Sequence, residues 1–287
     1  MMKTVLVLGS TGSLGSSVLE VLKQQSYKIR ATARTERKAE QLRPWVNEVV
    51  VCDPTDPETL TPALLEGVDY IISALGKSLS LSDQSRTSFH DVDFQGNLNV
   101  LKLAQEHGPQ VKKFVYVAAF SGENHPDVAY FKAHEDFTKA LRKSGIPSSI
   151  IKPPALFSAF LNLLPLARKG HLASIGPGDA ITNPIHEHEV AEACVQALTL
   201  PVATIELGGP VAYSRLQLVE LVGKAAGKTN PIPKVPYWVV DTFLPMVRLV
   251  NRSLYEKAAF FVEVTKRDCV APFRGKLTLE DYLAEHV

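Results

Sequence analysis

Short apolar runs alternate with longer amphipathic segments through the first half of the chain. The apolar runs predict six strands: Thr4–Leu8, Lys28–Ala33, Glu48–Cys52, Tyr70–Ser73, Lys113–Ala118 and Ser149–Lys152. Apolar positions at helical spacing predict helices between them: Gly12–Gln24, Glu36–Leu42, Asp56–Leu65, Phe94–Glu106 and Phe131–Ser144. Strands that alternate with helices are typical of an α/β fold, here a doubly wound parallel sheet covered by helices on both faces.

The pattern changes beyond Ala155, where prolines recur and the strand–helix rhythm loosens. We expect a nucleotide-binding domain over residues 1–157 and a small C-terminal substrate lobe over 158–287. One further strand–helix–strand piece lies within 183–209, and we expect it to rejoin the sheet.

Composition narrows the class of protein. A net charge of +1 gives no electrostatic reason to expect nucleic acid as a partner. Three widely spaced cysteines without a CxxC pair predict neither disulfides nor a thiolate metal site, as expected of a cytoplasmic protein. The apolar start is too short for a signal peptide, and no run reaches the roughly 20 residues of a transmembrane helix.

A glycine-rich turn follows the first strand. It has the spacing GxxGxxG and consists of Gly9, Ser10, Thr11, Gly12, Ser13, Leu14 and Gly15. Gly9 permits the tight turn, Gly12 has no side chain to exclude a pyrophosphate, and Gly15 lets the next helix pack closely on the sheet. The N-terminus of that helix presents free N–H groups to phosphate. The motif therefore predicts a dinucleotide site on a Rossmann sheet.

The end of the second strand indicates which dinucleotide binds. It carries Arg34 where an acidic residue would favour NAD(H), so the sequence favours NADP(H) over NAD(H). Asp53, after the third strand, either approaches the adenine or caps the helix after Pro54. Ligands bind at the carboxyl ends of parallel strands. Residues at the ends of the fourth, fifth and sixth strands are therefore predicted to join the cofactor site: Ala74, Leu75, Gly76, Ala118, Pro153 and Ala155.

The chain resembles the atypical short-chain dehydrogenase/reductases of the NmrA-like and complex-I-subunit-like kind. The resemblance rests on eight stretches: the glycine turn, Ala33-Arg34, Val92–Asn97, Lys113–Val117, Tyr130–Glu135, Ser144–Pro147, Ile150–Pro153 and Gly275–Glu280. It implies an NAD(P)-binding fold over nearly the whole chain and leaves the substrate open.

Typical members of this group carry a YxxxK pair on the helix after the fifth strand and a serine at that strand's end. Lys132 is matched to the lysine, which would hold the nicotinamide ribose. Val128 then stands at the tyrosine position, and Ala118 or Ala119 at the serine position. Tyr130 and Ser121 are the candidate replacements for the missing hydroxyls. His134 and His125 are further candidates, since histidine titrates near neutrality.

Two other segments carry candidate chemistry. His186 and His188 are two residues apart and do not share a helical face, so we expect helix capping or a polar strip beside the cofactor, and no metal site. The apolar, aromatic segment 237–250 fits a core helix of the lobe, the wall of a substrate pocket, a homodimer helix or a peripheral membrane contact.

These features predict an NADP(H)-dependent oxidoreductase that acts on a small hydrophobic carbonyl or enone. The missing serine and tyrosine motivate the alternative, a non-catalytic NADP(H)-binding sensor or scaffold. Turnover of NADPH with a carbonyl or enone would distinguish the two.

Overall fold

The central sheet is built around β1, whose residues Val5–Leu8 are fully buried. The computed structural model describes residues 2–80 and 83–286. Within them, seven parallel strands lie in the order β3-β2-β1-β4-β5-β6-β9. Their bounds are β1 Lys3–Leu8, β2 Tyr27–Ala33, β3 Glu48–Val51, β4 Tyr70–Ser73, β5 Lys113–Val117, β6 Ser148–Lys152 and β9 Thr204–Glu206. This order confirms the predicted α/β, doubly wound parallel sheet.

Helices cover both faces of this sheet. One face packs against α1 (Ser13–Lys23), α2 (Glu36–Leu42) and α7 (Glu187–Ala197). The other packs against α3 (Asn97–His107) and α4 (Ala129–Lys143). Since β9 pairs with β6 beyond α7, the 183–209 segment returns the chain to the sheet.

Two predicted helices differ from the observed structure. Residues 56–65 form two 3₁₀ turns, Pro57–Thr59 and Pro62–Leu65, because a proline at each start donates no N–H to a continuous helix. The helix predicted from Phe94 begins earlier, as a π-helical segment at His90–Gly96 that continues into α3.

The smaller lobe contains short elements around an aromatic and aliphatic core. That core includes Phe157, Leu164, Leu218 and Leu279. Its elements are α5 Ser158–Leu161, α6 Leu164–Arg168, β7 Ser174–Ile175, β8 Ile181–Thr182, β10 Tyr213–Ser214, α8 Arg215–Ala225, β11 Lys234–Val235 and α11 Leu279–Glu285.

A helical hairpin of α9 (Tyr237–Val250) and α10 (Arg252–Val264) completes the chain between β11 and α11. No residue of α9 is buried, so its interpretation as a core helix is wrong. It also contributes nothing to the lining of the large cleft described below, so it is not a wall of that cleft. Among the described helices, none combines the length and apolar content needed to cross a bilayer.

Candidate functional site: a cleft at the carboxyl ends of the strands

A cleft of about 530 Å³ follows the carboxyl ends of the central strands. One part, the nucleotide end, is lined by the glycine turn and the ends of β2 and β3. The other part, the far end, is lined by the end of β5 and by side chains from the π-helical segment and α4. Thirteen of the predicted cofactor residues line this cleft: Gly9, Thr11, Gly12, Ser13, Leu14, Gly15, Arg34, Asp53, Ala74, Leu75, Gly76, Ala118 and Pro153.

Glycine is needed for a different physical reason at each of the three positions of the turn. Gly9 has a φ of +74°, and a Cβ there would lie 2.5 Å from the Ala74 carbonyl oxygen. A Cβ on Gly15 would lie 2.1 Å from the Gly9 carbonyl oxygen. At Gly12 the nearest atom would be 3.4 Å away, and the backbone is extended. Gly9 and Gly15 are therefore required by the fold, whereas Gly12 keeps open space inside the cleft.

The N-terminus of α1 opens into this space. Gly12 is its N-cap and provides no side-chain cap, and the first turn holds no acidic residue. The exposed N–H groups and the positive end of the helix dipole favour an anion here.

Cationic side chains lie at the nucleotide end. Arg34 and Lys38 both line the cleft, and neither forms an ion pair with another described residue. Asp53 lines it too, but its carboxylate accepts hydrogen bonds from the Thr55 N–H at 3.0 Å and the Thr55 hydroxyl at 2.8 Å. Asp53 thus stabilises its own turn while bordering the site.

At the far end, α4 turns Tyr130 and His134 toward the cleft. The two are four residues apart, so they share one face of the helix. Their rings meet edge to face with centroids 4.6 Å apart. The Tyr130 ring also packs on Phe89 and Phe260. Its hydroxyl makes no hydrogen bond to a described residue, which leaves it free to meet a ligand.

A buried polar chain lies behind Tyr130. His134 Nδ1 is 2.6 Å from the Tyr116 hydroxyl, and His134 Nε2 is 3.3 Å from Asp93 Oδ1. Asp93 Oδ2 accepts a hydrogen bond from the Lys77 N–H at 3.1 Å. Burial raises the pKa of Asp93 to about 8 and lowers the pKa of His134 to about 3. Both shifts favour uncharged side chains at neutral pH.

The same burial acts on the tyrosines. It raises the pKa of the Tyr130 phenol, and the nearby Asp93 raises it further. Within the described residues no cationic side chain offsets this effect, so Tyr130 stays protonated and is a weak acid.

The loop after β4 borders the cleft through Lys77, Asp83 and Ser85. Asp83 Oδ2 lies 3.0 Å from Lys257 Nζ of α10 and 3.4 Å from Lys77 Nζ. Although burial of the Asp83 carboxylate opposes ionisation, hydrogen bonds from Ser85 and Lys257 hold its pKa well below its usual value. The two buried lysines tie this wall of the cleft to α10.

Four predicted site residues lie outside the cleft lining. Ser10 is buried, where its hydroxyl donates to the Val7 carbonyl and accepts from the Thr32 N–H. Ser121 has a φ of +58° and accepts a hydrogen bond from Asn124 at 2.6 Å. Ala155 pairs through its carbonyl with the Ile185 N–H. Lys132 is 61% exposed and forms an ion pair with Asp136 on the outer side of α4.

The structure places Lys132 on the side of α4 that faces away from the cleft. The cleft face of this helix carries residues 130 and 134 instead. His125 stacks on Phe131 and lies 3.2 Å from Glu263, away from the lining. The sequence did not predict that Asp93 and Lys77 border the cleft. For Tyr130 and His134 the sequence did carry a signal, because residues four apart share one face of a helix.

The fold is shared with known reductases. The chain is similar to the NADPH-dependent quinone oxidoreductase of Escherichia coli complexed with NADPH, with a TM-score of 0.75 and 20% identity over 98% of this chain and 99% of that one. It is also similar to the Citrobacter sp. triphenylmethane reductase complexed with NADP(H), with a TM-score of 0.72 and 22% identity over 99% of each chain.

Sequence relatives include a protein of another kind. The photosystem II assembly factor Ycf39 of Synechocystis sp. is 26% identical over 241 residues, which cover 82% of this chain and 72% of that protein. The sequence model of the NmrA-like family matches residues 1–283 of this chain. The chain therefore belongs to the NmrA-like family.

Proposed function

We propose that this protein is an NADP(H)-dependent oxidoreductase that reduces a small apolar acceptor whose carbonyl is conjugated, such as an enone or a quinone. The observation that carries the proposal is one continuous cleft. It joins an uncapped helix N-terminus and two unpaired cations to a protonated tyrosine at its far end.

The residues at the nucleotide end fit NADP(H). The open space at Gly12 and the N–H groups of α1 suit a pyrophosphate. Arg34, with Lys38 beside it, suits the 2′-phosphate that distinguishes NADP(H) from NAD(H). When bound, the nicotinamide supplies or accepts a hydride, and the protein orients it. The two similar reductases, solved with NADPH or NADP(H), support this choice.

The far end favours a conjugated acceptor over an isolated carbonyl. Hydride addition to an isolated carbonyl leaves a localised oxyanion, which needs strong hydrogen-bond donors. Here Ala118 and Ala119 provide no hydroxyl, and burial keeps the Tyr130 phenol a weak acid. An enone or quinone spreads the developing charge over several atoms, so a weaker donor suffices.

We assign Tyr130 as the group that meets the acceptor oxygen, with its hydroxyl donating a hydrogen bond to the charge that develops there, while the proton that completes the reduction comes from water. His134 and Asp93 are positioning residues, since they pack behind Tyr130 and form the buried polar chain. No role is assigned to Ser121, which the cleft does not include.

The test measures binding and turnover separately. NADPH and NADH are titrated into wild type, Arg34→Ser and the matched control Arg37→Ser, whose exposed side chain is absent from the cleft lining. We expect Arg34→Ser to weaken NADPH binding roughly tenfold to hundredfold, without a change for NADH. The control should resemble wild type. Equal affinity of wild type for both nucleotides would contradict the assignment of Arg34.

Turnover is then followed as NADPH oxidation with a panel of quinones, enones and isolated ketones. We expect activity on the conjugated compounds, and a roughly tenfold or larger loss of kcat in Tyr130→Phe with unchanged NADPH affinity. Activity confined to isolated ketones would contradict the proposal that the acceptor carbonyl is conjugated.

The second candidate function is a non-catalytic NADP(H)-binding protein. Two observations favour it: the missing serine hydroxyl at Ala118 and Ala119, and the similarity to a photosystem II assembly factor. Tight NADPH binding with no turnover of any acceptor would support this function and overturn the oxidoreductase.

A further inference from the structure

The α9–α10 hairpin presents one helix side to the rest of the protein and leaves the other open. α9 packs against α10, and the Tyr237 hydroxyl donates to the Thr265 carbonyl at 2.7 Å to anchor its first turn. Val240, Leu244 and Val247 are half-buried and recur at helical spacing on one side. The half-buried side of α9 therefore accounts for the packing of α9 within the hairpin.

The opposite side of α9 is mainly apolar, with Thr242 as its polar member. Five of its side chains are exposed by more than half: Trp238 by 70%, Phe243 by 57%, Met246 by 60%, Leu249 by 89% and Val250 by 89%. Single exposed apolar residues are ordinary, but such a group on one 14-residue helix marks a contact surface. No described part of the chain covers it.

Charge distinguishes this region from the remainder of the chain. Apart from Lys257, which is buried against Asp83, residues 228–267 contain six lysines and arginines against three acidic residues, while the whole chain has a net charge of only +1. The rest of the molecule is therefore net acidic. Lys234 precedes α9, and Arg248 and Arg252 lie at its C-terminal end, so cations flank the apolar face at both ends.

We propose that α9 binds the surface of an anionic lipid bilayer and lies in the plane of the interface. Its apolar side would insert at the boundary between headgroups and acyl chains, and the flanking cations would contact lipid phosphates. The excess positive charge favours this partner over a second copy, which would bring the same cations face to face. This proposal does not depend on the proposed reductase activity.

The hairpin also connects the surface to the cleft. On α10, Phe260 packs on Tyr130 with ring centroids 4.5 Å apart, and Lys257 holds the loop that borders the far end. A bilayer bound at α9 would therefore contact the same hairpin whose α10 helix packs against Tyr130 of the cleft.

The experiment uses Trp238 as the reporter. The chain has two tryptophans, so Trp45→Phe leaves Trp238 as the single tryptophan, whose emission is excited selectively. Vesicles of phosphatidylcholine with phosphatidylglycerol are compared with pure phosphatidylcholine vesicles, by Trp238 emission and by flotation. We expect emission to shift to shorter wavelength and protein to float with the anionic vesicles. About 0.5 M salt should weaken that binding.

Variants then test the surface itself. Met246→Glu with Leu249→Glu should lower binding to anionic vesicles roughly tenfold or more. The control Val202→Glu, at another exposed apolar side chain that is far from α9 in the sequence, should bind like wild type. Unchanged Trp238 emission and no flotation would overturn the proposal. So would vesicle binding that survives the double substitution, or a dimer that this substitution dissociates in protein that binds no vesicles.

Discussion

The two ends of the cleft are built in different ways. The nucleotide end comes from contiguous residues, a turn and the helix that follows it, with backbone N–H groups as its main binding atoms. The far end is assembled from Lys77, Asp93, Ala118 and the pair Tyr130–His134, which belong to four separate segments. The first end depends on local backbone conformation, and the second on tertiary packing and burial. The comparison explains why cofactor binding is common to a family while chemistry varies among its members.

The largest expected effect tests the backbone requirement at the nucleotide end. Gly15→Ala places a Cβ within 2.1 Å of the Gly9 carbonyl oxygen, so the turn or α1 must move. We expect the free energy of unfolding to fall by about 3 kcal/mol. Urea denaturation followed by circular dichroism measures it.

Gly12→Ala is the matched control for this substitution. Its Cβ meets no atom closer than 3.4 Å, so we expect stability within about 0.5 kcal/mol of wild type. The new methyl enters the cleft, so NADPH affinity should still decline. Equal destabilisation by the two substitutions would mean that the glycines do not divide into structural and binding roles.

The same comparison explains what the sequence reveals. Strand and helix periodicity predicts the sheet, and the glycine spacing predicts the turn, because both are local patterns. The far end depends on where α4 begins. A helix that starts at Ala129 turns Tyr130 and His134 inward and Lys132 outward, whereas the sequence match placed Lys132 inside.

Burial is the other property that local pattern does not give. Asp93 is surrounded by residues distant in sequence, including Lys77 and His134. Likewise α9 has the composition of a core helix, yet nothing in the described chain packs on its apolar side. Its exposure follows from the packing of α9 on α10, which no single-segment pattern contains.

A second, intermediate effect concerns the pH dependence of stability. The folded-state pKa of Asp93 is about 8, above its ordinary value of 3.8. The native protein therefore keeps this proton while the unfolded chain loses it, so the contribution of Asp93 to stability falls as pH rises from about 4 to about 8. Asp93→Asn removes that titration and preserves the side-chain shape.

We expect the Tm of Asp93→Asn to gain on wild type as pH rises over this window, by at least about 3 °C between pH 5 and pH 9. The pKa of His134 is lowered, so its contribution is lost in the opposite direction, as pH falls from 6.5 toward 3. Thermal melts across pH measure the difference between variant and wild type. The control is Asp127→Asn, at an exposed carboxylate. A constant difference across pH would contradict a raised pKa for Asp93.

The smallest expected effect is at Lys132. It tests which side of α4 faces the far end of the cleft. An exposed ion pair within one helix contributes about 0.3–0.5 kcal/mol, so Lys132→Ala should leave stability and NADPH affinity nearly unchanged. His134→Ala leaves Asp93 and Tyr116 without their buried partner and should cost about 1–3 kcal/mol. Denaturation and NADPH titration of both variants test this contrast. A large loss of NADPH affinity in Lys132→Ala alone would return the ribose-binding role to Lys132 and require α4 to rotate when the nucleotide binds.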